Sequence, residues 1–280
     1  MLLVQALDHF VVPVNDIVAA EEFYVQVFGG KIVKRNGLNV RSQSLGPHTF
    51  IEVANKRIGV YLQKQERGRV STVRGTPTYS FTTTRAGLNE VIGALASRQG
   101  KYEGPLANSH PFAASTVFFA DPAGNNFAVY VPTADEAVGS ATGKRLTGVG
   151  YLELEAPNLD ASIKFYQQVL GFNLLSRGHD KRNDQAQAIM RMASGQYLLL
   201  TETAFAAKGF PMSRLIPGPH LGFYVAPPQW REALAQLDRL GIPNGDRGAE
   251  AKGRTPGGTA GTYMDDPAGN VIQYITEGME

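Results

Sequence analysis

The chain has 280 residues, of which 43% are hydrophobic and 19% are charged, and its net charge is +2. This composition is typical of globular domains, and the near balance of 27 basic and 25 acidic residues argues against nucleic acid or a membrane surface as a partner. The absence of cysteine excludes disulfides and thiolate metal sites. The length suits two domains, and the apolar start is too short for a signal peptide, so we expect a cytoplasmic protein.

The first predicted element is a strand over Phe10–Val14, which is apolar and rich in β-branched residues. Asn15 or Asp16 can cap the helix that follows, and Gly29 can end it, because glycine enters the left-handed conformation at low cost. A second helix over Leu88–Leu95 has its apolar residues at helical spacing. The remaining predicted strands of this half are Phe50–Val53, Arg57–Leu62, Thr78–Thr82, Thr116–Phe119 and Phe127–Val131.

The second half repeats the first. Phe23–Gly29 (FYVQVFG) returns as Phe165–Gly171 (FYQQVLG), and an identical DPAGN stands at Asp121–Asn125 and at Asp266–Asn270. So long a repeat indicates a duplicated domain, since the repeats of solenoid proteins are much shorter. The second set of predicted strands is Ala188–Met192, Tyr197–Thr201, His220–Val225, Gly261–Met264 and Val271–Ile275.

The order of elements predicts an α+β fold of two tandem domains, each built from two βαβββ modules. Residues 133–146 are polar, rich in small residues and without periodicity, which is typical of a linker. We therefore predict an N-terminal domain over 1–132 and a C-terminal domain over 147–280.

Strand–helix modules with an FYxxVxG segment and a terminal DPxGN hairpin resemble the vicinal oxygen chelate superfamily. This superfamily includes glyoxalase I, extradiol ring-cleaving dioxygenases, fosfomycin-resistance enzymes and bleomycin-binding proteins. The four-module chain is most similar to the type I extradiol dioxygenases. That resemblance implies that each pair of modules forms an open mixed β-barrel and that the C-terminal barrel holds the metal.

The resemblance also implies where metal ligands stand: on the first strand of a barrel, on the first strand of its second module, and on the strand after the DPxGN turn. In the C-terminal half these places are held by Tyr151, His220 and Gln273. In the N-terminal half they are held by His9, Thr78 and Ala128, which cannot complete a site. Neither half has the complete two-His-one-carboxylate triad of non-haem iron oxygenases.

The C-terminal half is the favoured location of the site. Tyr263 stands where extradiol enzymes carry an active-site tyrosine, and the first copy has Phe118 at the equivalent place. The resemblance implies His220 and Tyr263 as catalytic residues, with His220, Gln273 and Tyr151 as candidate ligands of Fe²⁺ or another divalent metal. A substrate pocket would be lined by Tyr151, His220, Tyr263, Gln273 and His9.

Each of these residues also has a simpler interpretation. Tyr151 can supply a pocket wall, Gln273 can act as a neutral hydrogen-bonding group, and His9 can line a cavity without binding metal. Replacing a carboxylate by the Gln273 amide weakens the attraction for a cation.

Three functions therefore stay open for a small, aromatic or oxygenated ligand. The chain resembles a metal-dependent extradiol dioxygenase or a glyoxalase-like lyase; the alternatives are a metal-free binding protein and a metal-free acid–base enzyme. The resemblance further implies a homodimer, because members of this superfamily commonly pair through their barrel edges.

Overall fold

The computed structural model describes residues 4–36, 47–54, 56–62, 75–133, 145–180, 184–203, 220–245 and 259–277. Most of the predicted linker, 133–146, lies outside these ranges. Among the described residues, no helix combines the length and the hydropathy needed to span a bilayer.

The fold is α+β, as the sequence predicts, and apart from one strand of the first copy the described elements follow the same order in both copies. The first copy contains β1 (Val4–Val14), α1 (Ile17–Phe28), β2 (Lys31–Asn36), β3 (His48–Val53), β4 (Lys56–Leu62), β5 (Thr78–Thr82), α2 (Arg85–Ser97), β6 (Tyr102–His110), β7 (Ala113–Ala120) and β8 (Asn126–Pro132).

The second copy contains β9 (Gly148–Glu155), α3 (Leu159–Gln168), β10 (Asn173–His179), β11 (Ala186–Arg191), β12 (Tyr197–Thr201), β13 (His220–Val225), α4 (Trp230–Arg239), β14 (Thr259–Asp265) and β15 (Val271–Glu277). Where the first copy has β6, the described part of the second copy has a single bridge between Gly245 and Tyr263.

The first helices of the two copies begin with the same kind of side-chain cap. Asp16 caps α1 by accepting a hydrogen bond from the backbone N–H of Ala19, and Asn158 caps α3 through the N–H of Ala161. Gly29 and Gly171 follow the helices with φ of 69° and 73°, a left-handed conformation that other residues adopt at a cost. Of the two candidates for the cap of α1, Asp16 and not Asn15 accepts the hydrogen bond, and Gly29 ends the helix as expected.

Each DPAGN turn is tied to the tyrosine of the FY motif in the same copy. The Asp121 carboxylate accepts hydrogen bonds from the backbone N–H groups of Ala123 and Asn125 and from the Asn125 side chain. The Tyr24 hydroxyl donates to the same carboxylate over 2.9 Å. The second copy repeats this arrangement, with a Tyr166–Asp266 distance of 2.8 Å.

Burial raises the pKa of both turn aspartates, Asp121 and Asp266, and their hydrogen bonds oppose this effect only in part. These donors are what make the two buried carboxylates tolerable in the interior. The FY motif thus anchors the turn as well as filling the core.

The structure forms two compact units that do not coincide with the sequence halves. One unit comprises residues 1–11 and 154–280, and the other comprises 12–153. In the first unit β1 pairs with β13 in antiparallel fashion, β13 pairs with β15 in parallel, and β15 pairs with β14. In the second unit β9 pairs with β5, which pairs in parallel with β8, and β7 and β6 follow.

Each unit therefore takes one first strand from the other half of the sequence. The boundaries 1–132 and 147–280 stay a prediction about the repeat along the chain. Within the compact units, β1 lies beside the second module of the C-terminal half, and this exchange determines which candidate residues meet.

Candidate functional site

A row of four residues crosses the sheet of the first unit. His9 on β1 lies opposite Gly222 on β13, Gly222 lies opposite Gln273 on β15, and Gln273 lies opposite Tyr263 on β14. His220 precedes Gly222 by two residues and therefore faces the same side of the sheet. The strand pairing brings together four of the five predicted pocket residues: His9, His220, Tyr263 and Gln273.

The two histidines meet through their Nε2 atoms, which are 3.0 Å apart. Both residues are buried, each with 8% of its surface exposed. The Nδ1 atom of His9 lies 2.7 Å from Oδ2 of Asp8. Because an ionised carboxylate only accepts hydrogen bonds, Nδ1 of His9 carries a proton, and in the tautomer that has no second proton the Nε2 atom presents its lone pair to His220.

Gly222 leaves the space that the His9 ring occupies. A Cβ atom at this position would lie 2.3 Å from Cε1, 2.5 Å from Nδ1 and 2.8 Å from Nε2 of His9. These distances are well below van der Waals contact, so only glycine allows the ring to lie across β13 at this height.

Gln273 and Tyr263 form the other half of the row. The Nε2 group of Gln273 donates to the Tyr263 hydroxyl over 2.8 Å, and the Tyr263 ring meets the His220 ring edge to face with centroids 5.4 Å apart. The Oε1 atom of Gln273 is buried and has no hydrogen-bond partner in the part of the chain that the structure describes. A buried acceptor without a partner costs free energy, and this cost is relieved when a cation or a donor group binds.

These side chains fit a divalent metal as a neutral set of two nitrogens and one oxygen. The two Nε2 atoms lie at a hydrogen-bonding distance of 3.0 Å, and imidazole nitrogens are common ligands of divalent ions, so this pair could serve one ion. No three His, Cys, Asp or Glu side chains within the described ranges are placed to hold an ion. The carbonyl oxygen of Gln273 is the further donor that the row offers beside the two imidazoles.

Tyr151, the remaining predicted ligand, belongs to the other compact unit. It is completely buried, and its ring packs against His110, Phe112 and Tyr130 with centroid distances of 5.0–5.6 Å. The expected place of Tyr151 beside His220 is taken by His9, because β1 and not β9 pairs with β13.

The second unit carries the same strand register without the same chemistry. Thr78 pairs with Glu153 just as His220 pairs with Val11, and Ala128 pairs with Phe118 just as Gln273 pairs with Tyr263. The positions of His9, His220 and Gln273 are thus held in this unit by the Tyr151 phenol, the Thr78 hydroxyl and the Ala128 methyl group, and Phe118 stands in place of Tyr263. The polar row is confined to the first unit.

Sequence reasoning missed two residues of this site. Asp8 and Gly222 act on His9 and carry no motif of their own. The only signal in the sequence is that the equivalent positions of the other copy hold Gly150 and Ser80.

A family model described as the glyoxalase/bleomycin resistance protein/dioxygenase superfamily matches residues 6–129 and 148–274. The chain belongs to this superfamily. The matched segments are the two copies of the repeat, so the superfamily assignment made from the FY and DPAGN motifs is confirmed. No curated protein sequence matches the chain.

Two solved structures are similar to this chain over nearly its whole length. A dioxygenase candidate from Bacillus subtilis superposes with a TM-score of 0.73 at 13% identity, covering 98% of this chain and 86% of the other. Glyoxalase I from Zea mays superposes with a TM-score of 0.61 at 17% identity, covering 96% and 92%. At identities this low the similarity establishes the fold, and the substrate has to be inferred from the residues of the site.

Proposed function

We propose that this protein is a divalent-metal-dependent enzyme that acts on a small molecule with two neighbouring oxygen atoms. His9, His220 and the carbonyl oxygen of Gln273 would hold the ion. The observation that carries the proposal is the pair of imidazole Nε2 atoms 3.0 Å apart, on the same side of the sheet as Gln273, whose Oε1 atom has no hydrogen-bond partner among the described residues.

A divalent ion bound here would act as a Lewis acid that polarises the substrate oxygens. The chain's own groups prepare for it. Asp8 orients the His9 ring, and Tyr263 accepts a hydrogen bond from the Gln273 Nε2 group. Since that bond engages the nitrogen of the amide, Oε1 is the atom left to face a ligand.

Tyr263 is the group best placed to handle a proton of the substrate. Its hydroxyl lies next to Gln273 and its ring touches the edge of His220. A phenol so placed can hydrogen-bond a substrate oxygen and donate or accept a proton there. Tyr263 is therefore assigned as the acid–base residue of the reaction.

The donor set favours proton transfer next to a carbonyl group over oxidative ring cleavage. Ring-cleaving dioxygenases of the superfamily follow the two-His-one-carboxylate pattern, whereas this chain has the amide of Gln273 at the position of the carboxylate. Glutamine serves as a ligand in some glyoxalases of the superfamily. We therefore place α-hydroxycarbonyl compounds first as substrates and catechols second.

Elemental analysis and calorimetric titration with Ni²⁺, Zn²⁺, Mn²⁺ and anaerobic Fe²⁺ test the proposal. We expect one ion per chain in the wild type and its loss in His220→Ala and Gln273→Ala. His179→Ala is the matched control, because His179 is exposed at the end of β10. Absence of metal binding by the wild type under all of these conditions would refute the proposal.

A metal-free binding protein is the second candidate. It is favoured by the neutral charge of the donor set and by the lack of an acidic or histidine cluster of three within the described residues. In that case Gln273 Oε1 would accept a hydrogen bond from the ligand. Tight binding of an aromatic or oxygenated fragment in the presence of chelator, without turnover, would support it; turnover under chelation would instead indicate metal-free acid–base catalysis.

A further inference from the structure

We propose that Asp8 is a positioning residue that fixes the tautomer and the ring orientation of His9. Its contact with His9 directs the lone pair of Nε2 towards His220 and into the row formed with Gln273. The effect of Asp8 on the His9 tautomer does not depend on metal binding, whereas its consequence for metal affinity rests on the function proposed above.

A β-bulge makes this contact available. Neighbouring residues of a regular strand face opposite sides of the sheet, so Asp8 and His9 would normally point apart. In β1, however, Leu7 pairs with Phe223 and His9 pairs with Gly222, so two steps along β1 match one step along β13. Asp8 is the extra residue, and a bulge of this kind redirects a side chain.

The resulting geometry specifies one tautomer. Oδ2 of Asp8 is 2.7 Å from Nδ1 of His9, and the His9 side chain is only 10% exposed while that of Asp8 is 33% exposed. A carboxylate accepts and cannot donate, so the proton must be on Nδ1. Removing a group that fixes the protonated nitrogen of a ligand histidine typically weakens metal binding by about 10–100-fold.

The other copy of the repeat supports the assignment. The same bulge occurs in β9, where Tyr79 pairs with Leu152 and Phe81 pairs with Val149. There Gly150 replaces Asp8 and Tyr151 replaces His9. The phenol of Tyr151 has no tautomers that a neighbour could select, and the position of the carboxylate is held by Gly150.

The residue facing the bulge differs between the copies as well. Ser80 stands where the first unit has Gly222, and its hydroxyl bonds to the backbone carbonyl of Tyr151 over 2.8 Å and receives a bond from the Tyr151 N–H. In that unit a side chain fills the space above the strand and satisfies the bulge. In the first unit the His9 ring occupies this space, and the Asp8 carboxylate hydrogen-bonds the ring at Nδ1.

Long-range ¹H–¹⁵N NMR of the histidine side chains in the metal-free protein tests the proposal at about pH 8.5, where a free imidazole is neutral. We expect a single Nδ1–H tautomer for His9 in the wild type and loss of this signature in Asp8→Ala. Asp238→Ala is the control, since Asp238 is exposed at the end of α4. A His9 signal that stays purely Nδ1–H in Asp8→Ala would overturn the proposal.

A second variant covers the case in which Asp8→Ala does not fold. Asp8→Asn keeps the shape of the side chain but can either accept from Nδ1 or donate to it, so we expect a mixture of both tautomers. An unchanged single tautomer in Asp8→Asn together with unchanged Ni²⁺ affinity would also overturn the proposal.

Calorimetry with Ni²⁺ separates the two levels of the proposal. We expect Asp8→Ala to bind Ni²⁺ about 10–100-fold more weakly than the wild type. If the wild type binds no metal while Asp8→Ala still changes the tautomer, the proposed function fails and the positioning role stands. If the wild type binds metal and Asp8→Ala binds it equally well, the positioning role fails and the proposed function stands.

Discussion

Replacing Gly222 by alanine should disable the site while leaving every donor group in place. The added Cβ would lie 2.3 Å from Cε1 of His9, whereas carbon atoms in contact are about 3.5–4.0 Å apart, so the ring must move by more than about 1 Å. The 3.0 Å contact between His9 and His220 cannot survive such a movement. Forcing a methyl group into a packed site also costs about 1–3 kcal/mol of stability.

We expect Gly222→Ala to lower Ni²⁺ affinity in calorimetric titration by about the 10–100-fold typical of a disturbed ligand histidine, or more. Urea unfolding would measure the cost in stability separately. Gly178→Ala is the matched control, because Gly178 also lies in a strand and a Cβ there meets nothing within 4 Å. Wild-type affinity in Gly222→Ala would refute the inference that the ring of His9 depends on this glycine.

Two further predictions concern stability. Tyr166→Phe removes a buried hydrogen bond to the Asp266 carboxylate, and we expect the free energy of unfolding measured in urea to fall by about 1.5–3 kcal/mol. Tyr274→Phe is the control and should cost only about 1 kcal/mol, because the Tyr274 hydroxyl bonds to an uncharged backbone carbonyl. Equal costs for the two variants would contradict the anchoring role of Tyr166. The hydrogen bonds from Arg35 lower the pKa of Glu21, so this pair stabilises the fold above the pKa of an unfolded glutamate, and the contribution is lost as the pH falls through the lowered value. Glu21→Gln should therefore be less stable than the wild type at pH 7 and should lose less stability on acidification, which thermal unfolding across the acid range can measure.

Much of the fold follows from local patterns. The helices with their caps, the apolar strands and both DPAGN hairpins occur where the spacing of residues predicts them. The strands that sequence reasoning missed, among them β6 and β10, are largely exposed, so they lack the alternation of apolar and polar residues that reveals a half-buried strand.

The candidate residues could be named from the sequence, and His9, His220, Tyr263 and Gln273 were all expected to line one pocket. Tyr151 rather than His9 was expected beside His220, because each half was expected to close on itself. No periodicity encodes which strand becomes the neighbour of β1, since this depends on how whole modules pack. The roles of Asp8 and Gly222 depend on a bulge and on a close approach, which only coordinates reveal.

The pairing of β1 with β13 has a consequence for the order of events during synthesis. His9 leaves the ribosome early, and its partner His220 follows 211 residues later. At about 5–20 residues per second, this separation corresponds to about 10–40 s of translation, with Gln273 made later still. A ligand of this row could therefore stabilise the nascent chain only after its last strands exist, and a chain terminated before residue 220 lacks His220, Tyr263 and Gln273.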